Sequence, residues 1–246
     1  MPRTLFINAK YKGKITLTEK LKSYLEKHKP KSIAVFASVQ FQELDNLFNE
    51  INKLGIKVNT TKAKRTDKPL QILGCDCYED SFEQNILAES ELIMYVGDGL
   101  FHPKALLLAQ SKLPRVKPVA IFNPVANSIE ELTKDSIENQ LLRMKRNLRL
   151  YVNAKSIGII VTIKPGQQYL LSAKNLKEKL EEKGKNAFIF ITDSLLYNDL
   201  ENYPFIEAWV NTACPRIGTD DIVNIKQPIV NLREAFEPEK ALGELG

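Results

Sequence analysis

Short apolar segments alternate with stretches of helical periodicity along the first half of the chain. Residues 32–38, "SIAVFAS", predict a strand. Apolar residues then recur at helical spacing up to Gly55, which stands where a C-cap glycine is expected; they are Leu44, Leu47, Phe48, Ile51 and Leu54. Further strands are predicted at residues 55–61, 70–74, 91–97 and 118–124, with helical segments between the last three. Such apolar strands are typical of a parallel sheet covered by helices.

The second half of the chain repeats this plan. Residues 31–33 and 155–157 are both Lys-Ser-Ile, and each opens a predicted strand. A helix containing Leu176 and Leu180 ends at Gly184, and strands are predicted at residues 156–163, 186–192, 205–211 and 228–232. We interpret the repeat as a weak internal duplication. It predicts an α/β fold of two similar domains, each a small parallel sheet flanked by helices, facing a shared cleft.

The segment between the two halves predicts a long amphipathic helix over residues 128–152. Its apolar members are Ile129, Leu132, Leu141, Met144 and Leu148. This helix places the boundary near residue 127, so the predicted domains are residues 1–127 and 128–246.

Composition excludes several classes of protein. The 246 residues are 43% hydrophobic and 26% charged, which is ordinary for a globular chain with a sizeable core. No apolar run approaches the roughly 18–20 residues that span a membrane, and the N-terminus does not read as a signal peptide. We therefore expect a cytoplasmic protein, in which an odd count of three cysteines argues against a disulfide framework.

The charge balance is mildly basic, with a net charge of +5 and a pI near 8.9. Lysine and arginine concentrate at residues 62–68 and 143–149. A basic surface favours nucleic acid by counterion release, but a solvated Lys-rich surface is the simpler interpretation. No basic stripe interleaved with aromatic residues is present, so a nucleic-acid partner is not required.

Two cysteines follow predicted strands in the two halves. Cys75 comes after "QIL" and Cys214 after "AWVN", and ligands of open parallel sheets bind beyond the carboxyl ends of strands. Burial as small apolar residues is the alternative. Cys77 is either a further ligand or a bystander. Three thiolates suit zinc or three irons of a [4Fe–4S] cluster, whereas two histidines in the whole chain nearly exclude a His-rich zinc site.

Other polar residues gather after predicted strands. The segment "VGDGLFHP" (96–103) follows one strand and "IKPGQQ" (163–168) another, while Gln40 ends a third. Neither GxGxxG nor a P-loop is present, so these segments carry no nucleotide fingerprint. The candidate cofactor-binding residues are Gln40, Gly97, Asp98, Gly99, His102, Lys164, Gly166 and Gln167.

Four motifs, "ILGCD", "VGDGLFHP", "TIKPGQ" and "TACPRIGTDD", resemble the 2-(3-amino-3-carboxypropyl)histidine synthase family of diphthamide synthesis. The resemblance runs from about residue 30 to about 235. It implies a noncanonical radical S-adenosylmethionine enzyme with three similar α/β domains, each donating one cysteine to a [4Fe–4S] cluster. Reductive cleavage of S-adenosylmethionine releases a 3-amino-3-carboxypropyl radical, which adds to a histidine of translation elongation factor 2.

Matched onto this sequence, the resemblance makes Cys75 the second-domain ligand and Cys214 the third-domain ligand. Gln40, Asp98 and residues 164–167 match segments that line the family's cofactor cleft. The family's first domain, with its cysteine, has no counterpart in residues 1–246. Residues 1–30 instead predict one strand, "TLFINA", and one helix, "LTEKLKSYLEKHK", as at the junction into the second domain.

Three hypotheses account for this difference. Another chain supplies the missing domain and the third cysteine, which predicts an oligomer; or Cys77 replaces the missing ligand; or the chain is a non-catalytic binding or accessory member. A regulatory or RNA-associated protein that uses only the α/β scaffold is an interpretation from a different class, because fold alone does not give function.

Overall fold

The computed structural model describes residues 10–245, which form two compact units that divide after Ser136. The predicted strand "TLFINA" lies outside the described residues. Nowhere in the described range is there a helix with the length and apolar character that crossing a membrane requires.

The first unit is built on a five-stranded sheet. Its order is β2-β1-β3-β4-β5, with the first four strands parallel and β5 antiparallel to β4. Its elements in chain order are α1 (Glu19–His28), β1 (Ser32–Ala37), α2 (Asp45–Lys53), β2 (Lys57–Thr60), α3 (Ile86–Glu89), β3 (Leu92–Val96), α4 (Phe101–Leu108), β4 (Val119–Asn123) and β5 (Ser128–Leu132).

Local sequence explains the helices that cover one face of this sheet. Thr18 caps α1 by accepting a hydrogen bond from the Leu21 backbone N–H, and acidic Glu19 suits the first turn. Leu21 and Leu25, four residues apart, are fully buried in a core shared with β1, α2 and β3. α1 is therefore held by packing of one apolar stripe.

The second unit has a four-stranded, fully parallel sheet in the order β7-β6-β8-β9. Its strands alternate between two cores: Ile159 and Val210 pack in one, while Ile160 and Trp209 pack in the other. Its elements are α5 (Glu138–Asn153), β6 (Ser156–Thr162), α6 (Leu170–Glu182), β7 (Asn186–Thr192), β8 (Ala208–Asn211), β9 (Ile229–Asn231), α7 (Leu232–Phe236) and α8 (Pro238–Glu244).

The two units share one topology. In each, the parallel strands run second, first, third, fourth across the sheet, so β1 to β4 correspond to β6 to β9. The α/β fold of two similar, mainly parallel sheets is confirmed. Gly55 and Gly184 end helical segments with φ of +79° and +74°, the left-handed conformation expected of C-cap glycines.

Two predicted elements are wrong. Residues 70–74 form no strand: Leu70 has φ of +67°, and only Gln71 makes a single parallel bridge, to Ala37. The predicted helix at 128–152 begins only at Glu138, because residues 128–132 are β5. A turn in which Asn123 Oδ1 accepts from the N–H groups of residues 125 and 126 brings β5 back beside β4.

The position of β5 moves the division between the units. Because β5 pairs with β4, it belongs to the first sheet, and the chain divides after Ser136 rather than near residue 127. The apolar pair Ile129 and Leu132, which suggested helical spacing, lies within this strand.

Candidate functional site

The predicted site residues of the first unit lie where the parallel strands of its sheet end, which we call the carboxyl edge of the sheet. Gln40 follows β1, Asp98 follows β3, and Cys75 follows the bridge between Gln71 and the end of β1. Because β1 and β3 are parallel neighbours, these segments share the carboxyl edge. The structure therefore brings the three segments to the same side of this unit, and their role as a binding site stays a prediction.

Cys75 occupies the tip of a tight turn from Leu73 to Asp76. The Asp76 backbone N–H donates to the Leu73 carbonyl at 3.0 Å, and the buried Asp76 carboxylate accepts from the Leu73 N–H at 2.7 Å. Burial raises the pKa of Asp76, while the Leu73 N–H and the charge of Arg65 oppose the rise. Asp76, which sequence reasoning did not single out, thus fixes the turn that presents Cys75.

The three cysteines differ in exposure, and all are thiols rather than disulfides. Cys75 and Cys214 are partly exposed, whereas Cys77 is only 2% exposed. Burial thus distinguishes Cys77 from the other two cysteines.

Phe101 joins the loop after β3 to the cysteine turn. A Cβ on Gly74 would lie 2.0 Å from Cε1 of Phe101, so the absence of a side chain at Gly74 lets the ring approach the backbone beside Cys75. The Phe101 ring also meets the His102 ring edge to face, with centroids 5.3 Å apart. The "ILGCD" and "VGDGLFHP" motifs therefore touch within this unit.

His102 is held by a buried tyrosine. The Tyr95 hydroxyl lies 3.2 Å from His102 Nδ1, and the two rings stack with centroids 5.9 Å apart. Burial raises the pKa of Tyr95 to about 12, and the charge of Asp98 adds to the rise. A Cβ on Gly97 would lie 2.7 Å from the Tyr95 ring, so Gly97 accommodates this tyrosine. Gly99, with φ of +68°, adopts the left-handed conformation that the turn after β3 needs.

In the second unit, the segment after β6 forms a tight turn. The Gln167 N–H donates to the Lys164 carbonyl at 3.0 Å, with Pro165 and Gly166 between them. Gly166 has φ of +75°, as the third position of a type II turn requires. The buried Thr162 hydroxyl donates to the Gln167 carbonyl at 3.2 Å and ties the turn to the strand.

Cys214 follows β8, the parallel neighbour of β6, so it shares the carboxyl edge with the turn at 164–167. Near it, the Tyr197 hydroxyl donates to Asp221 at 2.6 Å. Burial raises the pKa of Tyr197, and the charges of Asp221 and Cys214 contribute to the rise. Tyr197 was not predicted as a site residue, yet the structure places it close to Cys214.

The two cysteines do not occupy matching places in the repeat. Cys214 follows β8, whose counterpart β3 leads into Gly97 and Asp98. Cys75 instead precedes β3 and stands beside the end of β1. Cys75 was predicted to follow a strand, as Cys214 does, and that prediction is wrong, because the segment before Cys75 makes only a single bridge to the sheet.

Comparison with known proteins decides the family. The family model described as diphthamide synthesis protein matches residues 2–243. This chain belongs to that family. The four motifs named from the sequence lie at the carboxyl edges of the two sheets, which is where open α/β sheets in general bind ligands.

Several named members of the family are similar to this chain. The 2-(3-amino-3-carboxypropyl)histidine synthase of Pyrococcus horikoshii is 27% identical over 98% of this chain and 69% of that protein. The Methanocaldococcus jannaschii protein of the same name is 28% identical over 94% and 61%. Subunit 1 of the Yarrowia lipolytica synthase is 26% identical over 83% and 44%.

A solved structure supports the same assignment. The crystal structure of Dph2 from Pyrococcus horikoshii with a 4Fe-4S cluster matches with a TM-score of 0.70 and 26% identity. The match covers 93% of this chain and 63% of that chain. This chain therefore spans about two thirds of the family member whose structure it resembles. Within residues 10–245, no three His, Cys, Asp or Glu side chains are grouped closely enough to hold a metal ion.

Proposed function

We propose that this chain is a component of 2-(3-amino-3-carboxypropyl)histidine synthase. The reaction transfers the 3-amino-3-carboxypropyl group of S-adenosylmethionine to a histidine of translation elongation factor 2, the first step of diphthamide biosynthesis. The observation that carries the proposal is the pair of partly exposed thiols, Cys75 and Cys214, each at a carboxyl sheet edge within a motif of the family. The names of the family relatives support the same reaction.

Cys75 and Cys214 are the proposed iron ligands. Thiolates are the usual protein ligands of iron–sulfur clusters, and a partly exposed thiol on a fixed turn suits this role better than a buried one. When bound, a [4Fe–4S] cluster supplies the electron that cleaves the sulfonium and an open iron that meets it. The chain's own contribution is to hold the two thiolates and the substrate in place.

S-adenosylmethionine is the proposed ligand of the remaining edge residues. Its amino-acid end carries a carboxylate and an ammonium, which match the charges of exposed Lys164 and Asp98. Gly99 and Gly166 bear no side chain and let the backbone approach the ligand. Hydrogen-bonding side chains for the rest of the molecule come from Gln40, His102 and Gln167.

The third thiolate is proposed to come from polypeptide outside residues 1–246. Cys77 is 2% exposed, so it would have to leave the interior to reach iron beside Cys75. A partner chain that carries the remaining domain fits the proposal and would make the active form an oligomer. Light scattering at micromolar concentration tests this, since an active monomer contradicts it.

Anaerobic iron–sulfur reconstitution tests the ligand assignment. We expect broad absorbance at about 400 nm in the wild-type protein with its partner. Cys75→Ser and Cys214→Ser should each lower bound iron, whereas Cys77→Ser serves as the matched control and should leave the iron content unchanged.

Three results would contradict these proposals. A colourless, iron-free wild-type complex favours a non-catalytic accessory role, in which the chain binds the enzyme or the elongation factor. Loss of iron in Cys77→Ser supports Cys77 as the third ligand. A cluster complete in the isolated chain removes the need for a partner.

A further inference from the structure

We propose that Asn211 and Asn231 form a positioning pair that fixes the backbone of the Cys214 loop. The significance of the pair rests on the proposed function, in which Cys214 is an iron ligand. The two residues end neighbouring parallel strands, β8 and β9, and are register partners. They are therefore brought together by the sheet and not by the loop.

Hydrogen bonds from this pair reach three consecutive residues of the loop. Asn211 Oδ1 accepts from the Ala213 N–H at 3.0 Å, and Asn211 Nδ2 donates to the Cys214 carbonyl at 2.9 Å. Asn231 Nδ2 donates to the Pro215 carbonyl at 2.9 Å. The backbone on both sides of the Cys214 side chain is thus tied to the ends of two strands.

The two amides are also bonded to each other. Asn211 Nδ2 donates to Asn231 Oδ1 at 2.7 Å, so one amide supports the other. The backbone partners decide which end of each amide is oxygen: the Ala213 N–H requires an acceptor, and the Pro215 carbonyl requires a donor. A carboxylate at Asn211 would face two oxygen atoms and could not replace the amide.

Burial makes this arrangement rigid. Asn211 is 1% exposed and Asn231 is 4% exposed, so loss of either amide removes hydrogen bonds that water is poorly placed to replace. The Cys214 carbonyl would still accept from the Ile217 N–H and the Pro215 carbonyl from the Thr219 hydroxyl, but the links from the loop to the strand ends would be lost. Gly218 provides the space, because a Cβ there would lie 2.3 Å from Asn231 Oδ1. Gly218 thus leaves room for Asn231, the side chain that bonds to Pro215 beside Cys214.

The rate at which Cys214 is alkylated reports how firmly the loop holds its side chain, and this rate can be measured in the absence of a cofactor. The reduced full-length chain is alkylated with iodoacetamide under native conditions, and peptide mass spectrometry gives the rate at Cys214 relative to Cys75 as internal reference. Asn211→Ala and Asn231→Ala free the loop, so the ratio should rise by at least about fivefold, the equivalent of one net hydrogen bond. Asn231→Ser keeps a small polar group at this position but is too short to reach the Pro215 carbonyl in the same way, and it is the second variant if alanine prevents folding.

Asn147→Ala is the matched control. Asn147 is 3% exposed in the same unit, and its hydrogen bonds join it to the Ile229 carbonyl, at 3.1 Å, and to Arg146 rather than to residues 213–215. It should lower stability yet leave the alkylation ratio unchanged. An unchanged ratio in the Asn211 and Asn231 variants, or an equal rise in Asn147→Ala, overturns the proposal.

Iron content separates this inference from the proposed function. In the reconstituted complex, Asn211→Ala and Asn231→Ala should hold at most half of the wild-type iron and show altered cluster electron paramagnetic resonance, with Asn147→Ala like wild type. Wild-type iron and an unchanged spectrum in both variants count against the pair. An iron-free wild-type complex contradicts the proposed function, and the alkylation ratio still decides whether the pair positions Cys214.

Discussion

At the carboxyl edge of the first sheet, two glycines make room for aromatic side chains. Gly74 lets Phe101 lie against the cysteine turn, and Gly97 admits the buried ring of Tyr95. Asp76 folds its carboxylate back onto the same turn. The glycines of the two motifs are therefore explained by packing inside the unit, and only Gly99 by backbone conformation.

Gly74→Ala tests the contact with Phe101. The new Cβ collides with the ring, but Phe101 is 56% exposed and can swing into solvent. We expect a loss of only about 1 kcal/mol in the free energy of unfolding, at the low end for overpacking, measured by urea denaturation. Phe101→Ala in the same chain should remove this cost, and an additive double variant contradicts the contact.

Tyr95→Phe tests the burial of the phenol. The pKa of Tyr95 rises from 10.0 to about 12, so the folded state favours the neutral form. The stability that Tyr95 contributes is complete below pH 10 and is lost as the pH rises through 12. Between these values, the free energy of unfolding of Tyr95→Phe should fall less steeply than that of wild type.

The measurement is urea unfolding of both proteins at several pH values from 8 to 12. Their difference at pH 8 gives the pH-independent cost of the lost hydroxyl. Parallel curves between pH 10 and 12 would show that the phenol titrates normally.

At the scale of elements, strand pairing decides which side chains meet at the site. β6 and β8 pair in parallel, which sets the 164–167 turn beside the Cys214 loop, and β8 and β9 bring Asn211 to Asn231. The same pairing sets Gly158 opposite Trp209, and a Cβ on Gly158 would lie 2.4 Å from the indole. The packing of the Trp209 indole beside β6 thus depends on a glycine in the middle of that strand.

Gly158→Ala is expected to destabilise the second unit by about 1–3 kcal/mol. Trp209 is fully buried and cannot move aside, unlike Phe101. Urea unfolding followed by circular dichroism measures the loss. Gly243→Ala in α8 is the control, because nothing lies within 4 Å of its Cβ position, and it should not destabilise the chain. Equal stability of the two variants contradicts the packing argument.

At the scale of the whole molecule, two units of one topology each carry their own sheet and core. Three hydrophobic clusters of the described residues each lie within one unit, one within residues 15–129 and two within residues 144–245. Each unit presents one partly exposed cysteine. Each unit can therefore be studied by itself.

Residues 137–246 expressed alone are expected to fold. Their sheet and both cores are complete without the first unit. The single tryptophan of the chain, Trp209, lies in this unit and reports its core. Its emission should match that of the full chain and shift to the red in urea. Red-shifted emission in buffer would show that the second unit needs the first.

Much of the fold could be predicted from local pattern. The predicted strand at 186–192 coincides with β7, and the other strands in parallel pairs were found to within a few residues, because buried strands have a strong apolar signal. β5 was missed since Ile129 and Leu132 also suit helical spacing. The hairpin before β5 depends on the Asn123 side chain, whose turn bonds no periodicity reveals.

The chemical motifs could also be identified from the sequence, but the contacts that hold them in place could not. Cys214 and the glycine-containing loops were identified from their places after strands, and Cys75 from a predicted strand at 70–74 that does not form. The family was recognised from the motifs that contain these residues. The asparagine pair had one signal, a Val-Asn at the end of both β8 and β9, which had no meaning until the register joined the two strands.

Apolar periodicity, helix-ending glycines and short motifs thus specify the α/β plan, its duplication and the family, because each depends on neighbours along the chain. The exposure of Cys75 against Cys77, the contact of Phe101 with Gly74, and the bonds of Asn211 and Asn231 depend on the folded chain. These contacts join residues far apart in sequence, and their geometry is set by strand register and packing, which no local pattern contains.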